Sequence, residues 1–197
     1  TETRHERVHK LRELEEDVRS WVWSGLHTEE DIAIEVTHSA YPDKRELEKA
    51  LINVFQAKRE AERTWPAQTD CDLLDKAFEQ LRRERIVALH HAGFNSRDGY
   101  DEVQDTLAEY PTVSFQGYCF YHSQDLDRVL DGNGLFLAFG GLGEVEASQI
   151  GQRVDGILRE QGLETDWNGD AQTRILIPHM QWLRRYPPSP FSPPSED

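Results

Sequence analysis

Residues 86–93 read Ile-Val-Ala-Leu-His-His-Ala-Gly, and the hydrophobic pattern of the chain changes at this segment. Before it, apolar residues recur at the spacing of about 3.6 residues that is typical of α-helices, whereas from Ile86 onward they come in short runs. The four consecutive apolar residues 86–89 predict a buried strand, and Gly93 indicates a loop after it. We therefore expect the chain to change from helices to a sheet at Ile86.

The chain beyond this first strand alternates further strands with helices. Strands are predicted at 117–122, 135–139, 163–167 and 174–177, and helices at 98–109, 125–130 and 147–161. We expect Asp98 to cap the first of these helices. Alternation of this kind predicts a sheet with some parallel pairing. The turn signal Asn168-Gly169-Asp170 would join the last two strands as a hairpin, which makes the sheet mixed.

Helical spacing dominates the chain before Ile86 and predicts four helices there. Thr28, Asp43 and Asp70 indicate where the last three begin. The fold class is therefore α+β, with a helical N-terminal region, residues 1–85, packed on a mixed β-sheet with flanking helices, residues 86–186. Residues 187–197 contain two Pro-Pro pairs, so we expect them to form a flexible tail.

The charge of the chain is strongly acidic, with a formal net charge of -15 over 197 residues. From residue 86 onward there are 7 basic against 17 acidic residues, a net of -10. No stretch offers the basic stripe that would neutralise phosphates, and an anionic membrane would repel such a surface. We therefore expect neither direct nucleic-acid binding nor membrane binding, and a basic protein partner fits the charge best.

The cysteines and the hydrophobic pattern indicate a cytoplasmic protein. Two cysteines, Cys71 and Cys119, form neither a disulfide framework nor a Cys-x-x-Cys pair, which favours a reducing compartment. No apolar run approaches the roughly 20 residues of a membrane helix, and no signal-peptide pattern is visible.

Several short motifs resemble a bacterial protein family. They are Trp-Val-Trp-Ser-Gly at 21–25, Thr-Asp-Cys-Asp at 69–72, Ala-Leu-His-His-Ala-Gly-Phe at 88–94, Asp-Gly-Tyr-Asp at 98–101, Gly-Tyr-Cys-Phe-Tyr-His-Ser-Gln-Asp-Leu at 117–126 and Trp-Leu-Arg-Arg at 182–185. The family is an uncharacterised domain of unknown function, and the resemblance extends from about Trp21 to Arg185. It implies no activity and supplies no catalytic residues.

Histidines and carboxylates cluster where the first two predicted strands end, and they form the candidate polar or metal site. The members are His90, His91, His122, Asp98, Asp101 and Asp125. If the two strands are parallel neighbours, His90 and His122 lie at the same carboxyl edge, where open α/β sheets place their sites. Two histidines and a carboxylate are a set that a divalent metal ion can use, although no established metal motif is present. The alternative is that these histidines are hydrogen-bonded to loops.

Two other features resemble functional motifs, but each has a better structural interpretation. Strand alternation places Cys119 and His122 on opposite faces, so Cys119 is expected to be a core residue rather than a nucleophile. The Gly140-Gly141-Leu142-Gly143 segment lacks the Lys and Ser/Thr of a phosphate-binding loop, and we expect a tight turn.

Two functions remain open on the sequence. The first is a non-catalytic interaction or regulatory module whose acidic surface engages a basic partner and which needs no cofactor. The second is a small metal-dependent, hydrolase-like enzyme that uses the histidine and aspartate cluster. The first is favoured because no complete catalytic set is present.

Overall fold

The computed structural model describes residue 16, residues 18–38 and residues 44–194. Contacts divide these residues into two compact units. One unit comprises the described residues up to Ala67 together with Leu183–Pro187, and the other comprises Gln68–Trp182 and the described residues from Pro188 onward. The division falls before the fourth helix rather than at residue 85, because that helix packs against the first strand.

The first unit is helical. Residues 18–24 belong to helix α1, and they are followed by α2 (Glu29–His38) and α3 (Lys44–Glu62). The predicted cap of α2 is confirmed, since the Thr28 hydroxyl accepts a hydrogen bond from the Asp31 N–H at 3.1 Å. The helices share an apolar cluster that contains Val18, Val22, Ile32, Val36, Leu47 and Leu51. The predicted start of α3 at Asp43 lies outside the described residues.

The second unit contains the sheet. Its elements, in chain order, are α4 (Asp70–Arg83), β1 (Ile86–Leu89), α5 (Ser96–Glu109), β2 (Gly117–Phe120), α6 (Ser123–Leu130), β3 (Leu135–Gly141), α7 (Ala147–Glu160) and β4 (Ile175–Ile177). The fold class predicted from the sequence, α+β, is therefore confirmed.

The sheet has the strand order β1-β2-β3-β4 among the described residues. β1 and β2 are parallel, and the β2–β3 and β3–β4 pairs are antiparallel, so the predicted mixed sheet is confirmed. The prediction of a strand at 163–167 is wrong: that segment contributes only an isolated bridge between Asp166 and Leu176. Leu163 and Thr165 of this segment are buried, but they do not extend the strand pairing.

Helices cover both faces of the sheet. The Phe78 ring of α4 contacts Tyr121, and Gly151 of α7 lies against Phe139, so these two helices share one face. On the other face, Gly99 of α5 packs so closely on Phe120 that a Cβ atom would not fit. No helix in the described ranges is both long and apolar enough to cross a lipid bilayer.

Local capping explains where α4 and α5 begin. The Thr69 N–H donates to the Asp72 carboxylate at 2.8 Å, and the Asp72 N–H donates back to the Thr69 hydroxyl, which forms a capping box. The prediction that Asp98 caps α5 is wrong, because Asn95 accepts from the N–H groups of Arg97 and Asp98. The helix therefore begins two residues before Asp98, at Ser96.

Candidate functional site

The predicted polar residues lie at the carboxyl ends of β1 and β2, where α5 and α6 begin. Leu89 of β1 is paired with Phe120 of β2, and the Ala92 N–H donates to the Tyr121 carbonyl just beyond the strands. The two strands are therefore parallel neighbours, which is the condition under which the sequence places His90 and His122 at one edge of the sheet. Each strand passes through a short turn into a helix whose first residue is a serine, Ser96 or Ser123.

His90 points to the face of the sheet that α4 covers. Its ring lies 4.4 Å from the Phe78 ring, and its Nδ1 atom lies 3.2 Å from the Tyr121 hydroxyl. The Nε2 atom is 3.6 Å from a carboxylate oxygen of Asp75. His90 is therefore held by α4 and by the end of β2.

His122 lies in a separate buried network. Its Nε2 atom is 3.1 Å from the Asp125 carboxylate, 3.3 Å from the Ser96 hydroxyl and 3.3 Å from the Arg174 guanidinium. Arg174 also donates to the other Asp125 oxygen at 2.7 Å. Asp125 and His122 are almost fully buried. The carboxylate of Asp125 is thus the centre of a charge-assisted network that joins α6 to the segment before β4.

The protonation state of His122 follows from these surroundings. Burial lowers the pKa of the imidazole below its ordinary value of 6.5, the nearby Arg174 charge lowers the pKa further, and the Asp125 and Asp98 charges oppose both effects. Because the net shift is downward, His122 is neutral at pH 7. Its role at that pH is to hydrogen-bond rather than to carry charge.

His91 completes a reciprocal arrangement of histidines and serines. Its Nε2 atom lies 3.0 Å from the Ser123 hydroxyl at the start of α6, while His122 contacts Ser96 at the start of α5. His91 has a positive φ of 52°, which is uncommon for a residue with a side chain. Each strand end therefore supports the helix that follows the neighbouring strand.

The six predicted residues do not converge on one point. The structure brings His122 and Asp125 together, with Asp98 close enough to influence the imidazole electrostatically. His90 lies with Asp75 on the α4 face, and Asp101 is exposed on α5. The described residues contain no group of three or more His, Cys, Asp or Glu side chains placed to hold a metal ion. The set suggested by the sequence is divided because side chains alternate between the two faces of a sheet.

Sequence reasoning missed two members of the network, Ser96 and Arg174. Arg174 lies 49 residues after Asp125 and has no motif around it, so no local signal links the two. Ser96 carried a usable signal, since it follows Asn95 at a helix start, where Asn and Ser are common. Cys119 was predicted correctly as a core residue: it is fully buried, and burial raises the pKa of its thiol.

A second candidate surface is the exposed face of α5, which we call the acidic face and define as Asp101, Asp105 and Glu109. All three carboxylates are exposed and lie one helical turn apart. Within the described part of the chain none of them has an ion-pair partner. Other helices pair their charges, as in Arg83 with Glu79 at 3.8 Å or Arg159 with Asp155 at 3.0 Å.

Two exposed aromatic residues lie at the start of the same helix. Phe94 precedes α5 and is 61% exposed, and Tyr100 lies in its second turn and is 42% exposed. The Tyr100 ring packs edge-on against Tyr118 at 5.5 Å, which fixes its position. An aromatic face next to carboxylates is suited to cationic groups.

Comparison with known proteins identifies one family. The family model described as "Domain of unknown function (DUF6891)" matches residues 7–186. No curated protein and no solved structure matches the chain. The match carries no assigned activity and no assigned functional residues.

Proposed function

Because the chain belongs to the DUF6891 family, a domain of unknown function, it inherits no activity, and we propose from its own geometry that it is a non-catalytic interaction module for a basic partner. The observation that carries this proposal is the acidic face of α5. Its three exposed carboxylates have no ion-pair partner among the described residues, whereas Glu79 on α4 and Asp155 on α7 are each paired with an arginine.

The surrounding charges support the same interpretation. α5 contains five acidic residues and one basic residue, Arg97. The chain from residue 86 onward carries a net charge of -10. A surface of one sign attracts a partner of the opposite sign over roughly 8 Å at physiological ionic strength. A cytoplasmic setting is part of the proposal, since Cys71 and Cys119 are both buried and form no disulfide.

The test compares two triple variants with equal changes in net charge. The first neutralises the acidic face by Asp101→Asn, Asp105→Asn and Glu109→Gln. The control neutralises three exposed carboxylates outside α5 by the changes Asp127→Asn, Glu144→Gln and Glu164→Gln. Binding of a fluorescent lysine- and arginine-rich peptide is measured by polarisation at several salt concentrations.

We expect the acidic-face variant to bind more weakly than the control. Exposed ion pairs contribute about 0.2–1 kcal/mol each, so three of them amount to about three-fold to about a hundred-fold in affinity. The wild-type affinity should also fall as salt rises. Equal losses in both variants would mean that only net charge acts, and an affinity independent of salt would refute the proposal.

A further inference from the structure

The proline-rich segment 188–194 packs on the second unit through one aromatic side chain. The Phe191 ring lies 5.7 Å from the Tyr110 ring and 6.1 Å from the Phe115 ring. It rests on the apolar cluster that includes Val87, Leu89, Ala92, Val103, Phe115 and Phe120. Phe191 therefore makes a specific contact from within the segment that the sequence predicts to be a flexible tail.

Arg82 provides a polar anchor beside this aromatic contact. Arg82 is only 7% exposed, and its Nε atom donates to the Ala88 carbonyl at 3.0 Å. Its Nη1 atom donates to the Ser189 and Pro190 carbonyls, both at 3.3 Å, and its guanidinium lies 5.4 Å from the Phe191 ring centre. Burial lowers the pKa of the Arg82 guanidinium, while the Glu79 and Asp75 charges raise it. A buried charge is tolerated only where it is hydrogen-bonded, so the two tail carbonyls contribute to its environment.

We call the surface formed by Arg82, Tyr110 and Phe115 the tail groove. Its contacts use features that an extended proline-rich chain offers readily. Prolines stand at 188, 190, 193 and 194, so most of this backbone has carbonyl acceptors and no N–H donors. Aromatic-lined grooves with a side-chain donor are a known mode of recognising extended proline-rich peptides.

We propose that the tail groove is a peptide-recognition site for a proline-rich, extended segment with a Pro-Phe pair from a partner protein, and that the chain's own tail occupies it until that partner competes. The occupant seen in the groove defines the chemistry that fits: two consecutive carbonyls for Arg82 and a phenylalanine for the aromatic wall. This site shares no residue with the acidic face, and it selects an apolar segment rather than a basic one.

The tether sets the affinity that a partner needs. A covalently attached tail is present at an effective concentration of about 1 mM. For the tail to occupy the groove at that concentration, the same sequence as a free peptide must bind with a dissociation constant of about 1 mM or less. A free peptide that binds with about 0.1 mM would be weakened on the order of ten-fold by the attached tail. A partner therefore displaces the tail when the ratio of its concentration to its dissociation constant exceeds the same ratio for the tail.

The experiment uses the full chain with a single change, Phe191→Ala, which removes the tail's aromatic contact and so weakens its hold on the groove. A peptide with the sequence of residues 187–194, Pro-Pro-Ser-Pro-Phe-Ser-Pro-Pro, is titrated into the 15N-labelled wild type and the variant. The control peptide carries alanine in place of its phenylalanine. The matched protein control is Tyr186→Ala, which removes an aromatic ring that is 76% exposed and lies outside the groove.

We expect the Phe191→Ala chain to bind the peptide at about 1 mM or below, with resonance shifts around the tail groove. The wild type and the Tyr186→Ala chain should bind it more weakly, by about two-fold if the free peptide's dissociation constant is about 1 mM and by about ten-fold if it is about 0.1 mM. Adding Tyr110→Ala to Phe191→Ala should abolish the gain, and the spectrum without peptide reports whether each variant is folded.

Three results would overturn the proposal. They are equal affinities of wild type and Phe191→Ala, equal binding of the two peptides, and the absence of any shift up to several millimolar peptide. If instead wild-type chains form a concentration-dependent dimer that Phe191→Ala abolishes, the occupant is a second copy's tail, and the partner assignment is wrong.

Discussion

Replacing Asp125 with Asn tests whether the buried network around His122 stabilises the fold. Asp125 is 1% exposed, and its carboxylate accepts from the Arg174 guanidinium at 2.7 Å and from the backbone N–H of His122 at 3.2 Å. Removing one member of a buried ion pair costs about 3–5 kcal/mol when the other is left buried. The Arg174 side chain is 36% exposed, so it can regain water, and the expected loss is lower, about 2–3 kcal/mol. Asn retains a side-chain oxygen that can still accept from the backbone N–H of His122.

Urea unfolding at pH 7 measures this loss, with Asp127→Asn as the matched control. Asp127 is exposed on the same helix and has no ion pair among the described residues, so its change should stay within about 0.5 kcal/mol. Combining Asp125→Asn with Arg174→Met in a double-mutant cycle isolates the coupling, which we expect to be about 1–2 kcal/mol. If Asp125→Asn is as mild as the control, the network does not stabilise the fold. If it is stabilising, the charges are kept at a cost and have another role.

Three further predictions concern single residues of the second unit. Burial lowers the pKa of His122 below 6.5 in the folded state. The contribution of neutral His122 to the free energy of unfolding is therefore complete above pH 6.5 and is lost as the pH falls through the folded-state pKa. His122→Gln should reduce this pH dependence, measured as urea midpoints from pH 7.5 to 5. Gly93→Ala should lower the free energy of unfolding by about 1 kcal/mol or more beyond the effect of Gly143→Ala, measured by thermal unfolding. Both glycines have a positive φ, but only a Cβ atom at Gly93 would meet backbone, 2.6 Å from the Asp98 carbonyl carbon. Equal losses in the two variants would contradict the predicted clash. Cys119 should not react with a thiol reagent until the protein unfolds, since it is fully buried and burial raises its thiol pKa; prompt labelling of the native chain at Cys119 would contradict this.

The sheet could be predicted from the sequence because its strands carry local signals. Ile86–Leu89 is a short apolar run and is found with its predicted bounds, and the strand predicted at 117–122 is found at Gly117–Phe120. The strand at 163–167 was a false prediction because its buried residues, Leu163 and Thr165, resemble the alternation of a strand. Alternate burial does not require a ladder, and only one bridge, from Asp166, forms there.

The candidate site was predicted only as a location. The apolar runs predicted that His90 and His122 lie where two strands end, whereas the parallel pairing of those strands was only assumed and is shown by the structure. Their partners did not, because a contact such as Asp125 with Arg174 depends on how β4 approaches α6 across the fold. The direction of each imidazole depends on the register of the two strands. Leu89 is paired with Phe120, so His90 lies one position beyond this pair and His122 lies two positions beyond it. Side chains at positions that differ by one lie on opposite faces of the sheet.

Arg82 shows how a charged residue within the apolar stripe of a helix can indicate a distant hydrogen-bonding partner. Leu74, Phe78 and Arg82 follow one another at intervals of four in α4, so helical geometry places Arg82 on the buried face. A guanidinium there needs acceptors, and the β1 carbonyl of Ala88 supplies only one of them. The carbonyls before Phe191 supply two more, from the part of the chain with the fewest structural signals. Any segment that displaces the tail must therefore bring backbone carbonyls to Arg82, and a proline-rich segment does so without adding N–H donors that would themselves need acceptors.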